Sequence, residues 1–328
     1  MTMTPEAPTI AAQDILSELK QATEAAAVAV GPWIGRNDKL AADGAAVDSL
    51  AASLGSSQLI RYNIAINEGV KDGAPHLPHG IVLGESDGPI YDFAADPVEG
   101  TTRVASGRAG GMVLAAVAPH GTFPAWADIR YMRKFVVGPE AATNMQIGNY
   151  MSITNDPREV MAEVAAALSK PRAELRVAVL DRERNSHIMD AIGAIGAKAI
   201  KLDSGDVLPA LQACMQEQDQ VDMLYGSGGA PETILTAAAV AGLGGNMQAM
   251  WDPNPDGTAP AEIAAVDALE QRGMVLTLGD MIGKDPESVF FAASGITDSL
   301  VLNGVKRRGN VWTPGTSIAV QGKPYPRY

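Results

Sequence analysis

Two carboxylates three residues apart, followed at once by two hydroxyls, stand at Asp96-Pro97-Val98-Glu99-Gly100-Thr101-Thr102. Hard divalent cations take oxygen ligands, and Mg²⁺ keeps several waters that a substrate phosphate can replace. A turn offering two carboxylates, a carbonyl oxygen and the N–H groups of a starting helix suits that chemistry. Asp96-Pro97 taken singly is more simply a turn into a helix, with Glu99 as a solvated first-turn acid. The whole heptapeptide, with further acids elsewhere in the chain, favours the metal. Glu68, in Asn67-Glu68-Gly69, closes a second apolar run and so sits at a strand end, as Asp96 does. Acids at the carboxyl ends of neighbouring strands can converge on one point. Asp43 stands before an expected helix over 45–54, where an N-cap is the simpler reading and a metal ligand the alternative. His76 and His79 read as surface-loop residues, because prolines interrupt their spacing.

The elements that must position these groups follow from periodicity. A helical period runs over 13–30 and ends at Gly31-Pro32, and a polar loop carrying Arg36 and Lys39 comes next. Strands are expected over 58–66, 90–95 and 112–118, with a turn beginning at Asp96. The segment from Trp126 to Val137 holds Asp128, Arg130, Tyr131, Arg133 and Lys134, the most cationic patch of the first half. The second half alternates strand and helix, with strands expected over 176–180, 198–202, 222–225, 289–295 and 316–320. Arg182 and Arg184 stand two residues apart just after one of these, so both are expected to face one side of a cleft. The glycines at 226–229, between strand and Ala-rich helix, allow close backbone approach to an anion. They match neither GxGxxG nor a Walker loop, so they do not imply nucleotide binding.

The 328 residues are 46% hydrophobic and 19% charged, enough apolar material for about two domains. Aromatics are scarce at 5% while Ala and Gly abound, which favours an α/β protein with close helix–sheet packing. The formal net charge is −13 and no Lys/Arg tract occurs, which argues against nucleic acid and anionic membranes as partners. An acidic protein that binds an anionic substrate must gather positive charge locally, and bound metal ions do so. The single cysteine, Cys214, lies in an apolar helical pattern and reads as a core residue. No signal-peptide pattern or membrane-spanning run is visible, so a cytoplasmic location is expected.

Taken together, these stretches resemble the class II fructose-1,6-bisphosphatases, the bacterial metal-dependent branch of the lithium-sensitive sugar phosphatases. The likeness runs over about residues 22–322. It is carried by Gly-Arg-Asn-Asp-Lys (35–39), Ala-Asp-Gly-Ala-Ala-Val (42–47), Asn-Glu-Gly (67–69) with Ala-Pro (74–75), Asp-Pro-Val-Glu-Gly-Thr (96–101) and Tyr-Met-Arg-Lys with Val-Gly-Pro (131–139). Gly-Asp-Val (205–207), Tyr-Gly-Ser-Gly-Gly-Ala-Pro-Glu (225–232) and Ala-Ser-Gly-Ile-Thr-Asp (293–298) complete it.

The resemblance implies an α/β fold, a layered helix–sheet sandwich of the sugar-phosphatase type in two domains. We expect a flexible tail over 1–12, a metal- and phosphate-binding domain over 13–150 and an α/β sugar-binding domain over 151–328. It implies Asp43, Glu68, Asp96, Glu99 and Glu232 as metal carboxylates for Mg²⁺ or Mn²⁺, with the Val98 carbonyl as a further ligand. Lys39 falls near the reacting phosphate, and Thr101, paired with Asp43, orients the attacking water; Glu68 is the other expected catalytic acid. Gly100 and Thr101 offer N–H groups to the phosphate, and Tyr131, Arg182, Arg184, Ser204 and Asp206 fall on substrate-contacting positions. Where the family usually reads Gly-Glu-Gly-Glu, this chain has Asn67-Glu68-Gly69-Val70; Asn37 replaces a glycine, Gly73 an acid or His, and Ser204 an Asp. The metal carboxylates are kept, and the departures bear on the sugar. The expected activity is hydrolysis of the 1-phosphate of fructose 1,6-bisphosphate or a close sugar bisphosphate, by a homo-oligomer (dimer or tetramer). A paralogue acting on another sugar or cyclitol phosphate and a non-catalytic sugar-phosphate sensor are the alternatives. Retention of Thr101 and all five acids argues against the sensor.

Overall fold

A computed structural model describes residues 10–67, 77–124, 126, 131–145, 151–215, 220–252, 260–268 and 273–325. Glu68, Val70, Gly73, His76, Asp128, Arg130 and most of the expected tail lie outside the described residues. The helices are α1 (Ala12–Val30), α2 (Lys39–Gly55), α3 (Thr101–Ala105), α4 (Pro139–Asn144), α5 (Pro157–Ala167), α6 (Ser186–Ala194), α7 (Val207–Met215), α8 (Ala230–Leu243), α9 (Pro260–Ala268) and α10 (Leu278–Ile282). The strands are β1 (Arg61–Asn67), β2 (Val82–Leu83), β3 (Ile90–Glu99), β4 (Met112–Pro119), β5 (Tyr131–Val137), β6 (Arg176–Leu180) and β7 (Lys198–Leu202). They continue with β8 (Met223–Gly229), β9 (Asn246–Trp251), β10 (Leu276–Thr277), β11 (Phe290–Gly295), β12 (Lys306–Arg308), β13 (Val311–Thr313) and β14 (Ser317–Gln321).

Two mixed sheets form, in the orders β14-β11-β4-β3-β1-β2 and β10-β9-β5-β8-β6-β7, and β12 and β13 make a separate hairpin. Alternation along the strands sends side chains to opposite faces. Phe93, Ala95, Val113 and Val117 of the first sheet pack against α1 and α2, whereas Ala94, Leu114 and Ala116 pack with α7 and α8. The second sheet turns Met132, Val136 and Leu224 toward that same middle layer, and Phe135, Val137 and Tyr225 toward α4, α5 and α6. The result is five layers: helices, sheet, helices, sheet, helices. The layered α/β sandwich expected from the sequence is what forms.

The middle layer explains the Ala and Gly content. Helix α8 is buried on every side, from Ala237 through Gly242 among others, as a helix held between two sheets must be. A methyl on Gly242 would drive into Val320 of β14. Small side chains let two sheets close on one helix.

Strand membership does not follow the division at residue 150. Residues 131–137 lie in the second sheet, and β11 and β14 return to the first, β11 beside β4 and β14 beside β11. Three boundaries also differ from those the sequence suggested. Helix α2 begins at Lys39, capped by the Asp38 carboxylate on Ala41 N–H at 3.0 Å, so Asp43 is not an N-cap but an inward-facing residue of the helix. Strand β3 does not end at Ala95 but continues to Glu99, and the turn falls at Gly100, with φ 78°. The glycines at 226–229 are not a loop: they finish β8, paired with β5 along their whole length.

Candidate active site

The register of β3 against β4 creates the centre of the site. Asp96 opposes Leu114 and Glu99 opposes Met112, so three steps on β3 match two on β4. In a regular strand, residues three apart point to opposite faces. The bulge re-aims the chain, and Asp96 and Glu99 face the same pocket. The bulge is fastened from within: Asp96 Oδ1 accepts Val98 N–H at 3.0 Å, and Thr101 Oγ1 donates to Val98 O at 2.9 Å.

This pocket, ≈ 200 Å³ in volume, is lined by Asp43, Asp96, Val98, Glu99, Gly100, Thr101, Ser204 and Glu232 among others. Asp43 comes from α2, Glu232 from the first turn of α8, and Ser204 from the loop between β7 and α7. Lys39 reaches the rim, where its Nζ donates to Thr102 Oγ1 at 2.8 Å. These expected residues are thus brought to one place from α2, the end of β3 with the start of α3, the β7–α7 loop and α8. Glu68 lies outside the described residues.

The electrostatics are unfavourable without a cation. Glu99 is buried, and its carboxyl is pushed from 4.5 up to about 7, first by burial and then by the neighbouring Asp206 and Glu232. A side-chain hydrogen bond shared with Asp96 and one from Val207 N–H, the latter at 3.2 Å, only partly offset this. The Glu99 bond caps the start of α7, and Glu232 sits at the start of α8, where helix dipoles favour negative charge. Glu232 Oε2 and Asp206 Oδ1 are buried without a hydrogen-bond partner. Among the described residues, no group of three or more His, Cys, Asp or Glu side chains forms a ready-made ion cage. The donor set is nonetheless all oxygen, mutually repelling and short of donors, which fits a hard divalent cation.

The expected sugar-side residues take a different arrangement. Arg182 and Arg184 do not continue a strand; Arg182 precedes the short 3₁₀ turn after β6 and Arg184 lies within it, so strand alternation does not place them. Arg182 is exposed and donates to Asp203 O at 2.6 Å and Asp181 O at 2.9 Å. Arg184 lies over the Tyr131 ring, 4.4 Å from its centre, and donates to Ser227 O at 3.3 Å. Asp206 is buried and bridged to Lys134 Nζ at 2.9 Å. Burial pushes its carboxyl up and Lys134 opposes this.

Sequence reasoning missed three supporting groups. Lys134, read as part of a cationic patch, is fully buried. Arg103 and Arg108 both grip Asp203, each at 2.5 Å, and hold its carboxyl below the usual range. Asn185 is buried behind Gly226 and accepts Ser227 N–H at 2.7 Å. None carries a local signal: a Lys beside an Arg reads as surface until its strand is known to be central.

Comparison with known proteins agrees with this geometry. The family described as "Bacterial fructose-1,6-bisphosphatase, glpX-encoded" matches residues 13–325. The "Fructose-1,6-bisphosphatase 1 class 2" of Escherichia coli (strain K12) is 36% identical over 321 residues, covering 95% of this chain and 92% of that protein. The "Fructose-1,6-bisphosphatase class 2" proteins of Escherichia coli O6:H1 and Shigella flexneri match at the same 36% and the same coverage. A family match over nearly the whole chain, on a pocket where acids from three separate elements meet, places this protein among the bacterial class 2 fructose-1,6-bisphosphatases.

Proposed function

We propose that this chain is a divalent-metal-dependent phosphatase that releases the 1-phosphate of fructose 1,6-bisphosphate. The observation that carries the reading is the single pocket shared by Asp43, Asp96, Glu99, Glu232, the Val98 carbonyl and the Thr101 hydroxyl. These acids, with Glu68, would hold Mg²⁺ or Mn²⁺. Such ions, when bound, supply Lewis acidity to activate water and to stabilise the leaving alkoxide.

The protein's own groups position the reaction. The Thr101 hydroxyl already gives its hydrogen to Val98 O. Its oxygen is therefore left as an acceptor, the state needed to orient a water by taking a hydrogen bond from it. Asp43, on the same pocket wall, is assigned to receive the proton as the water oxygen attacks phosphorus and the bond to the sugar oxygen breaks. Lys39 and the N–H groups of Gly100 and Thr101 are assigned to the equatorial phosphate oxygens. Arg184, pre-oriented on Tyr131, and Arg182 are assigned to the distal phosphate. Asp206 is assigned to a sugar hydroxyl through Oδ1, the oxygen lacking a hydrogen-bond partner. A homo-oligomer, dimer or tetramer, in the cytoplasm accompanies this reading; no described helix is long and apolar enough to cross a membrane.

A second reading, hydrolysis of a different sugar or cyclitol phosphate, is favoured by Ser204. This residue lines the pocket with a buried hydroxyl that has no partner, where the resembled family usually carries Asp. One experiment separates the two: phosphate release from a panel of sugar mono- and bisphosphates with Mg²⁺ or Mn²⁺, before and after chelation. The first reading expects fructose 1,6-bisphosphate to be the best substrate and release to cease in chelator. Undiminished release in chelator overturns both readings.

A further inference from the structure

Behind the catalytic pocket lies a second cavity of ≈ 360 Å³. Glu99, Gly100, Ser204 and Gly205 line both, so one thin wall separates them. The second cavity has the size of a small-ligand site, and its lining is of two kinds. Ile200, Leu208, Val221 and Leu300 give it an apolar side; Arg103, Lys201 and Gln220 give it a polar one. Three polar atoms of its lining are buried without a hydrogen-bond partner: Arg103 Nε, Gln220 Oε1 and Ser204 Oγ. Buried polar atoms are normally satisfied, and an exception calls for an occupant.

The guanidinium of Arg103 is not free to swing away and satisfy itself. Its NH2 is held by Asp203 at 2.5 Å and its NH1 donates to Ala109 O at 3.3 Å. Nε–H is the guanidinium nitrogen left buried with no partner. Gln220 offers the converse, an acceptor with nothing to accept. We propose that this cavity is an effector site for a small amphipathic organic anion. Its carboxylate or phosphate meets Arg103 and Lys201, a short apolar body meets Leu208 and Val221, and a hydroxyl or amino hydrogen meets Gln220 Oε1. Occupancy is felt at the catalytic pocket because the ligand presses on the far side of the Glu99–Gly100 and Ser204–Gly205 wall.

The test uses the full chain and three probes: 2-hydroxyisocaproate and 2-hydroxyisovalerate, which have all three features, and inorganic phosphate, which has the anionic head alone. Binding is read by ligand-observed NMR and calorimetry with and without chelator, so this arm does not rest on the phosphatase reading. At least one organic probe is expected to bind saturably in both conditions, and more tightly than phosphate. Leu208→Trp, which fills the cavity, should weaken that binding roughly tenfold or more, and Gln220→Leu several-fold. In the kinetic arm, the bound probe should change phosphate release without competing with the sugar phosphate. The site is overturned if no organic probe binds at about 10 mM, enough to fill a millimolar site; water alone then occupies the cavity. It is equally overturned if binding vanishes in chelator, or if Gln220→Leu and Leu208→Trp bind as the unaltered chain does. Saturable binding with unchanged kinetics overturns the effector role.

Discussion

Around Glu99 the chain gathers Asp96, Asp206 and Glu232 with little to neutralise them. Among the described residues, Lys134 is the one fully buried Lys or Arg, and it is bound to Asp206. The ordinary pKa of Glu99 is 4.5 and the fold moves it to about 7, so folding favours its neutral form. Ionising it therefore destabilises the metal-free protein as pH rises from 4.5 through 7, by up to about 3 kcal/mol at the upper end. A divalent cation needs the ionised form and reverses the effect. In chelator, wild type should lose stability relative to Glu99→Gln between pH 6 and pH 8, and Mn²⁺ should raise the Tm of wild type more at pH 8 than at pH 6. Thermal melts of both chains check this; parallel melting curves at every pH would refute it. Thr101 gives a second prediction at this scale. Thr101→Val keeps the shape but removes the oxygen proposed to accept from water, so kcat should fall roughly 10²-fold or more while metal affinity stays near normal. An unchanged kcat would move water orientation to another group. Most acids of the pocket were readable from type and order in the sequence. Lys134 and Asn185 were not, because their importance comes from partners far away in the chain.

Among the elements, β3 and the β7–α7 loop fix the geometry. The sequence revealed that an apolar run led to Asp96. It did not reveal that the strand continues through Pro97 by a bulge, because a bulge is a relation to β4 and not a property of β3. The glycine run shows the same limit. As a string, Gly226-Ser227-Gly228-Gly229 suggests a loop, but in the fold it is a strand on which side chains would meet Asn185, Asp206 and Glu232. On the β7–α7 loop, Gly205 has φ +73°, and an added Cβ would stand 2.9 Å from Glu99 Oε1. Gly205→Ala should therefore cost about 1–2 kcal/mol in backbone strain and displace the Glu99 carboxylate. Metal titration of phosphate release should show weaker metal affinity, with more metal needed for half-maximal release, on the same protein that melts lower. A Gly205→Ala chain with unaltered metal affinity would show that the Glu99 position is not set from this loop.

Over the whole molecule, the two sheets are interleaved in chain order. The first sheet needs β11 and β14 from late in the chain, and the second takes β5 from before residue 150. Fragments 13–150 and 151–328, expressed separately, should each lack a folded core: the first would leave β4 an open edge, and the second would lose the strand between β8 and β9. Amide NMR of each fragment checks this, and a well-dispersed spectrum from either would contradict it. The composition did foretell close helix–sheet packing. It did not foretell the interleaving, since nothing in a run of strands states which sheet each will join.

Helix α8 has no outward face, and this limits how the protein can change. On α1 or α2, a larger side chain can turn toward solvent. On α8, between Ala237 and Gly242, growth in any direction meets packed atoms of one sheet or the other, and overpacking of that kind commonly costs 1–3 kcal/mol. Glu232 is mounted on the first turn of that same helix. Substitutions that enlarge the middle layer would thus tilt the carriage of a pocket carboxylate along with the core. Under the proposed function, substrate range would be retuned through the loops around Ser204 and Arg182, whereas the centre of the molecule is closed to enlargement.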